Sequence, residues 1–159
     1  MNTIKLDPID QRIIEKLTQD ARIPLSQLAN QLNVSNTLVH QRIRKLKENG
    51  IFQQATYKLS PEKLGYETAA YTQIKLDSYE LRKQIELKVA AIPEIVECVN
   101  ISGEYAILVK IYAVNNRHLR DIIYDKIQTI IGVSSTNTIM AFETNFVRNV
   151  PLQTDLENN

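Results

Sequence analysis

Thr37, His40, Gln41 and Arg44 are related by steps of three and four residues within SNTLVHQRIRKLKENG, Ser35 to Gly50. Wound at 3.6 residues per turn, they share one side of a helix, while Val39, Ile43 and Leu46 form an apolar stripe on the other. Arg42, Lys45 and Lys47 take the flanks. A hydroxyl, an amide and a guanidinium on one face can read base edges, and cations beside them can meet phosphates. Thr37, Gln41 and Arg44 are the candidates for base contact, with Asn36 and His40 in support. Arg42, Lys45 and Lys47 are the candidates for phosphate contact, although Arg42 lies near enough to the stripe to be partly structural. Ser35 is a good N-cap, and Asn49-Gly50 stops the helix. Solvation alone also produces charged helix faces. The surroundings must therefore decide.

Other chemistries have little to build on. His40 and His118 are the only histidines and Cys98 the only cysteine, so the sequence proposes no metal set, no catalytic cluster and no cofactor. Phosphate-binding loops, dinucleotide fingerprints and nucleophile elbows are absent from it. A lone thiol fits a reducing, cytoplasmic setting. MNTIKLDPID has no signal-peptide pattern, and no apolar run is long enough to span a membrane.

Charge separates the chain into halves. Up to Ser60 there are nine basic and five acidic residues, a balance of +4, which leaves −3 for the remainder of a chain of net charge +1. The basic half is the candidate for a polyanion.

The elements that would position the face are legible around it. Asp7 as N-cap, Pro8 at the first helical position and Asp10 in the first turn open a helix that buries Ile9, Ile13 and Leu17 and fades near Asp20. A shorter helix after Pro24 turns Leu25, Leu28, Ala29 and Leu32 inward, with no obvious cap. Small Ala29 suits a close crossing, and Asn33 suits the left-handed turn before Ser35. The pattern predicts a helix-turn-helix, followed by a short wing strand in IFQQATYKL, and thus a DNA-binding domain over residues 1–60. Its third helix would lie in a major groove of double-stranded DNA.

Residues 61–159 alternate in type. Strands are expected at Tyr66–Leu76, Ile95–Ile101, Tyr105–Ala113 and Val133–Val147. A helix capped by Ser78 carries Leu81, Ile85 and Val89, and a second, capped by Asn115 or Asn116, carries Leu119, Ile123, Ile127 and Ile130. The order βαββαβ is that of a ferredoxin-like sandwich, making the chain an α+β protein. Right-handed crossovers place both helices on one face of the sheet. Yet strand 105–113 is apolar on both sides, with Ile107, Val109 and Ile111 on one and Ala106, Leu108 and Tyr112 on the other. An uncovered apolar face of that size predicts a dimer.

LDPIDQRIIEKLTQDAR, LSQLANQLNVSNTLVHQRIRKLKENGI and LSPEKLGY closely resemble the amino-terminal pattern of the Lrp/AsnC (leucine-responsive, feast/famine) regulators. SGEYAILVKI resembles their effector-loop hairpin and GVSSTNTIM their last strand. The resemblance covers nearly the whole chain. It implies a winged helix-turn-helix joined to a ligand-sensing and oligomerisation domain, dimers that assemble further into octamers, and amino-acid effectors bound between dimers. Carried onto this sequence, the effector site comprises Ser102, Gly103, Glu104, Tyr105 and Ala106, completed by Ser134, Thr136 and Thr138. Family members commonly have an acidic residue where Ala106 stands, which argues against a basic effector and for a neutral amino acid such as leucine or methionine. Two rivals are an enzyme resembling the siroheme decarboxylases and an effector-independent protein that packages DNA.

Overall fold

In the computed structural model, which describes residues 4–152, Asp7 opens helix α1 (Pro8–Gln19) with a reciprocal cap. The Asp10 N–H donates to the Asp7 carboxylate at 2.8 Å, and the Asp7 N–H donates back to Asp10 at 3.5 Å. Helix α2 (Leu25–Leu32) starts at Pro24 without a side-chain cap and ends at Asn33, which takes the left-handed conformation with φ 54°. The Val34 N–H then donates to the Ala29 carbonyl at 3.0 Å, closing the turn. Helix α3 (Asn36–Glu48) begins where Ser35 Oγ accepts the Leu38 N–H at 3.1 Å. Ile13, Ile14, Leu28, Ala29, Val39, Ile43 and Leu46 form the core of this three-helix unit.

The described residues divide into two compact units, 4–58 with 147–152, and 59–146. Residues 147–152 were expected with the second domain, but Leu152 packs against the core of the first. The expected wing strand at 51–59 is not formed. The N–H groups of Ile51 and Phe52 instead donate to the Leu46 carbonyl at 2.9 and 3.3 Å, finishing α3. Residues 53–58 are exposed and make no ladder within the unit, and a single β-prone segment has no use for its propensity without a partner.

In the second unit β1 (Thr68–Leu76), β2 (Ile95–Asn100), β3 (Ile107–Ala113) and β4 (Val133–Ala141) form an antiparallel sheet in the order β2-β3-β1-β4. Helix α4 (Arg82–Ala90) and helix α5 (Asn116–Asp121) pack on one face of it. Ile85, Val89, Leu119 and Ile122 meet Ala70, Ile74, Ile107, Val109 and Ile111, all buried. This is the sandwich the sequence predicts, with three local differences. β4 ends at Ala141 rather than Val147, because its pairing with β1 runs out at Ala69. The last helix changes after Asp121 to a wider π winding over Ile122–Ile127. That winding puts Ile122 and Ile127, five residues apart, both in the core, where regular α spacing favoured Ile123 and Ile127. Ala106, expected with Leu108 and Tyr112, packs against the helix-side core.

The other sheet face carries Tyr71, Gln73, Leu108, Lys110 and Tyr112, all half-buried, with Val99 and Ile139 more exposed. At its centre the Lys110 ammonium lies 5.5 Å from the Tyr71 ring centre and 5.3 Å from that of Tyr112. Among the described residues no helix is long and apolar enough to cross a membrane.

Candidate nucleic-acid interface

The buried stripe Val39-Ile43-Leu46 fixes the rotation of α3 and leaves Thr37, Gln41 and Arg44 exposed on its far side. Asn36, His40, Lys45 and Lys47 are exposed as well, and Ser35 is spent on the cap. Arg44 reaches only Glu48, one turn on at 3.7 Å with both side chains in water, a contact too weak to hold it from a ligand. All these groups are donors or amphoteric, the set that base edges and phosphates require.

Arg42 is different. Its side chain is only 26% exposed, and the guanidinium is bound by the Asp7 carboxylate and, at 3.3 Å, by Asp10. The pair ties α3 to the capping box of α1. The Asp10 N–H holds the Asp7 carboxyl below the usual carboxylate range, against the upward push of burial, and Arg42 adds to the lowering. Of the two roles the sequence suggests for Arg42, the geometry supports the structural one.

The two flanks of α3 are consequently unlike. On one, Arg42 faces α1 and is paired with Asp7 and Asp10, with Lys45 exposed beyond it. The other forms an open cleft against the first turn of α2, lined by Leu25, Thr37, His40, Gln41, Ile43, Arg44 and Lys47. Leu25, read from the sequence as facing inward, packs against the core of this unit. It is half-buried and also lines this cleft, which helical periodicity alone does not reveal. A further contact had no sequence signal: Arg22, before α2, stacks its guanidinium 4.3 Å from the ring centre of Tyr57.

In the second unit, loop 102–106 joins β2 to β3, and Ser102, Gly103 and Glu104 are exposed at its tip with Tyr105 half-buried. Glu104 accepts from Lys75 of β1 at 2.7 Å; each group stabilises the other's charge, lowering the carboxyl and raising the ammonium. Ser134, Thr136 and Thr138 lie on β4, with β1 between them and β3, so two strand spacings of about 5 Å separate them from the loop's strand. Thr136 accepts from Gln128 at 2.8 Å, and the Thr138 hydroxyl meets that of Thr72 at 3.0 Å, so both are already partnered within the unit. The fold thus brings the loop and Ser134 to one end of the sheet without gathering all eight residues into one cavity of this chain. His118 is engaged as well. Its Nδ1 accepts the Val114 N–H at 3.3 Å and its Nε2 lies 3.2 Å from Glu94.

Comparison with known proteins matches both units. Residues 6–53 match the winged helix-turn-helix DNA-binding family model, and residues 69–150 match the Lrp/AsnC ligand-binding domain. The chain is 33% identical over 141 residues to the HTH-type transcriptional regulator FL11 of Pyrococcus horikoshii, covering 89% of this chain and 92% of that one. The solved structure of Escherichia coli AsnC superposes with a TM-score of 0.87 at 30% identity, over 92% of this chain and 99% of AsnC. A transcriptional regulator of Neisseria meningitidis, solved in complex with L-Met, shares the fold with a TM-score of 0.87 at 20% identity, over 94% and 98% of the two chains. A capped basic helix facing outward from a helix-turn-helix, a βαββαβ sandwich with one face open, and matches spanning both place the chain in the Lrp/AsnC family of transcriptional regulators.

Proposed function

We propose that the protein is a sequence-specific DNA-binding regulator of transcription whose second unit responds to a small metabolite. The observation that carries this is the rotation of α3: its apolar stripe is buried in the core, and every cation it leaves outside except Arg42 is free of a buried partner. Thr37, Gln41 and Arg44 then read base edges, and Lys45 and Lys47 meet phosphates. A selection of bound genomic fragments tests the reading, and a sharp motif is expected. On an operator so obtained, Arg44→Ala costs about 1–3 kcal/mol and relaxes the preference at one base position. Unchanged affinity and unchanged preference would remove Arg44 from the interface. A diffuse A·T bias in the selected fragments would favour a packaging role.

The effector reading assigns Ser102, Gly103, Glu104, Tyr105 and Ala106, with Ser134, to a neutral amino acid. The L-Met complex of the Neisseria protein supports the class of ligand. A side chain at position 106 that is small and packed against the core offers no carboxylate to a basic effector. In a thermal-shift screen of the amino acids, a neutral one at ~100 times its dissociation constant adds about 2.7 kcal/mol, several degrees of melting temperature. Stabilisation by lysine or arginine alone contradicts the assignment.

Assembly as a dimer through the open sheet face belongs to the same proposal. Leu108, Tyr112 and Tyr71 form an apolar surface that helices cover only on the opposite side. Octamers would then form from such dimers.

A further inference from the structure

The cleft between α2 and α3 has a composition unlike the rest of the recognition helix. Its floor is apolar, formed by Leu25 and by Ile43, which is 9% exposed. Along its α3 wall stand His40, Arg44 and Lys47, in steps of four and three residues, so they form one row on that wall. His40 and Lys47 are two turns apart, about 10 Å along the axis. Helix α2, LSQLANQL, contributes no charged residue, and no carboxylate lines the cleft. The groups that face His40 there are therefore Arg44 and Lys47, both cations. A trough with an apolar floor and a basic rim is complementary to a ribbon that is apolar in its sugars and anionic at its phosphates.

We infer that this cleft seats one sugar–phosphate strand of the bound duplex, with deoxyribose over Leu25 and Ile43 and with His40 as a proton-dependent phosphate contact. The inference rests on the DNA-binding reading above and reassigns His40 from the base edges to the backbone; Thr37, Gln41 and Arg44 lie further round α3 from Ile43 than His40 and Lys47 and keep their base-edge roles. On the opposite flank Arg42 is held by Asp7 and Asp10, which leaves Lys45 as the exposed cation there. Histidine is the side chain that changes charge between pH 5 and 8. Protonated, His40 adds one cation to the row. Neutralising one more phosphate releases one more counterion, steepening the dependence of log affinity on log salt by about 0.9.

The test uses the full chain and a duplex recovered from the selection, titrated over a range of salt at about pH 5.5 and about pH 8. The expected result is a slope steeper by about 0.9 at the lower pH in the parent protein and no such difference in His40→Gln. Lys47→Gln flattens the slope at both pH values and keeps the difference between them. His118→Gln, which replaces the other histidine of the chain, also keeps it. Leu25→Ser weakens binding to every sequence alike without touching the slope. A His40→Gln protein with the parent's pH difference, or a parent with none, overturns the inference while leaving the DNA-binding reading in place. Competition by polyglutamate as effective as DNA at equal charge overturns the sugar-seating part. Failure to bind any duplex at either pH overturns both readings.

Discussion

Arg42 illustrates how one side chain can carry positive charge on a DNA-binding helix and still be unavailable to DNA. Its charge is matched within the fold by Asp7 and by Asp10, whose side chain is 7% exposed. Removing the guanidinium leaves Asp10 in a low-dielectric site without its counter-charge. Arg42→Gln should therefore lower the denaturant-measured stability of the DNA-binding unit by about 1–2 kcal/mol, modest because Asp7 is partly wet. The slope of log affinity against log salt on a selected operator should not change, whereas Lys45→Gln should flatten it by about 0.9. A flattened slope in Arg42→Gln would return the residue to the interface. Acid should act on the same contact. The Asp7 carboxyl is lowered in the folded state, chiefly by the Asp10 N–H with Arg42 adding to it. Its contribution is complete above the ordinary carboxylate range and disappears as pH falls through the lowered value. In Arg42→Gln that acid-side loss shrinks without vanishing, since the Asp10 N–H remains.

Among the elements, the connection into β4 depends on one residue. Gly132 has φ 96°, and a Cβ there would come within 2.6 Å of Leu81 Cδ1 and 3.2 Å of Ile85 Cδ1. Gly65 has a similar φ of 86° but open space around the added methyl, so a pair of variants separates backbone strain from crowding. Gly65→Ala should cost about 1 kcal/mol, the conformational part alone, and Gly132→Ala about 2–4 kcal/mol in equilibrium unfolding. Equal costs would mean that Leu81 swings aside freely. Most element types and both caps of α3 were legible from short-range signals, because Asp7, Ser35 and Asn33 act on residues at most four or five away. What escaped depends on distant partners. β4 stops opposite the residues where β1 begins, 51–52 closes a helix instead of opening a strand, and Arg42 finds Asp7 thirty-five residues back. The candidate DNA face was readable because it lies on one helix, rotated by its own apolar stripe. The cleft that Leu25 helps to line and the partnering of Thr136 and Thr138 were not, since each depends on another element.

For the whole molecule, the open sheet face is the surface that asks for a second copy. Leu108 sits on it beside Lys110 and Tyr112, and it pairs across β1 with Gln73. Leu108→Asp should shift the full chain from dimer to monomer in sedimentation at micromolar concentration, because a carboxylate without a partner is costly to bury. Association unaffected by this change would move the interface elsewhere. The chain also passes between its two units twice, near residue 58 and again near residue 146. The second passage carries Leu152 onto a core whose other members end at Phe52. During synthesis the DNA-binding unit is therefore begun first and finished last, waiting for about a hundred residues of sandwich before its final contact exists. A chain released early can hold the recognition helix and still lack the residue that completes its support.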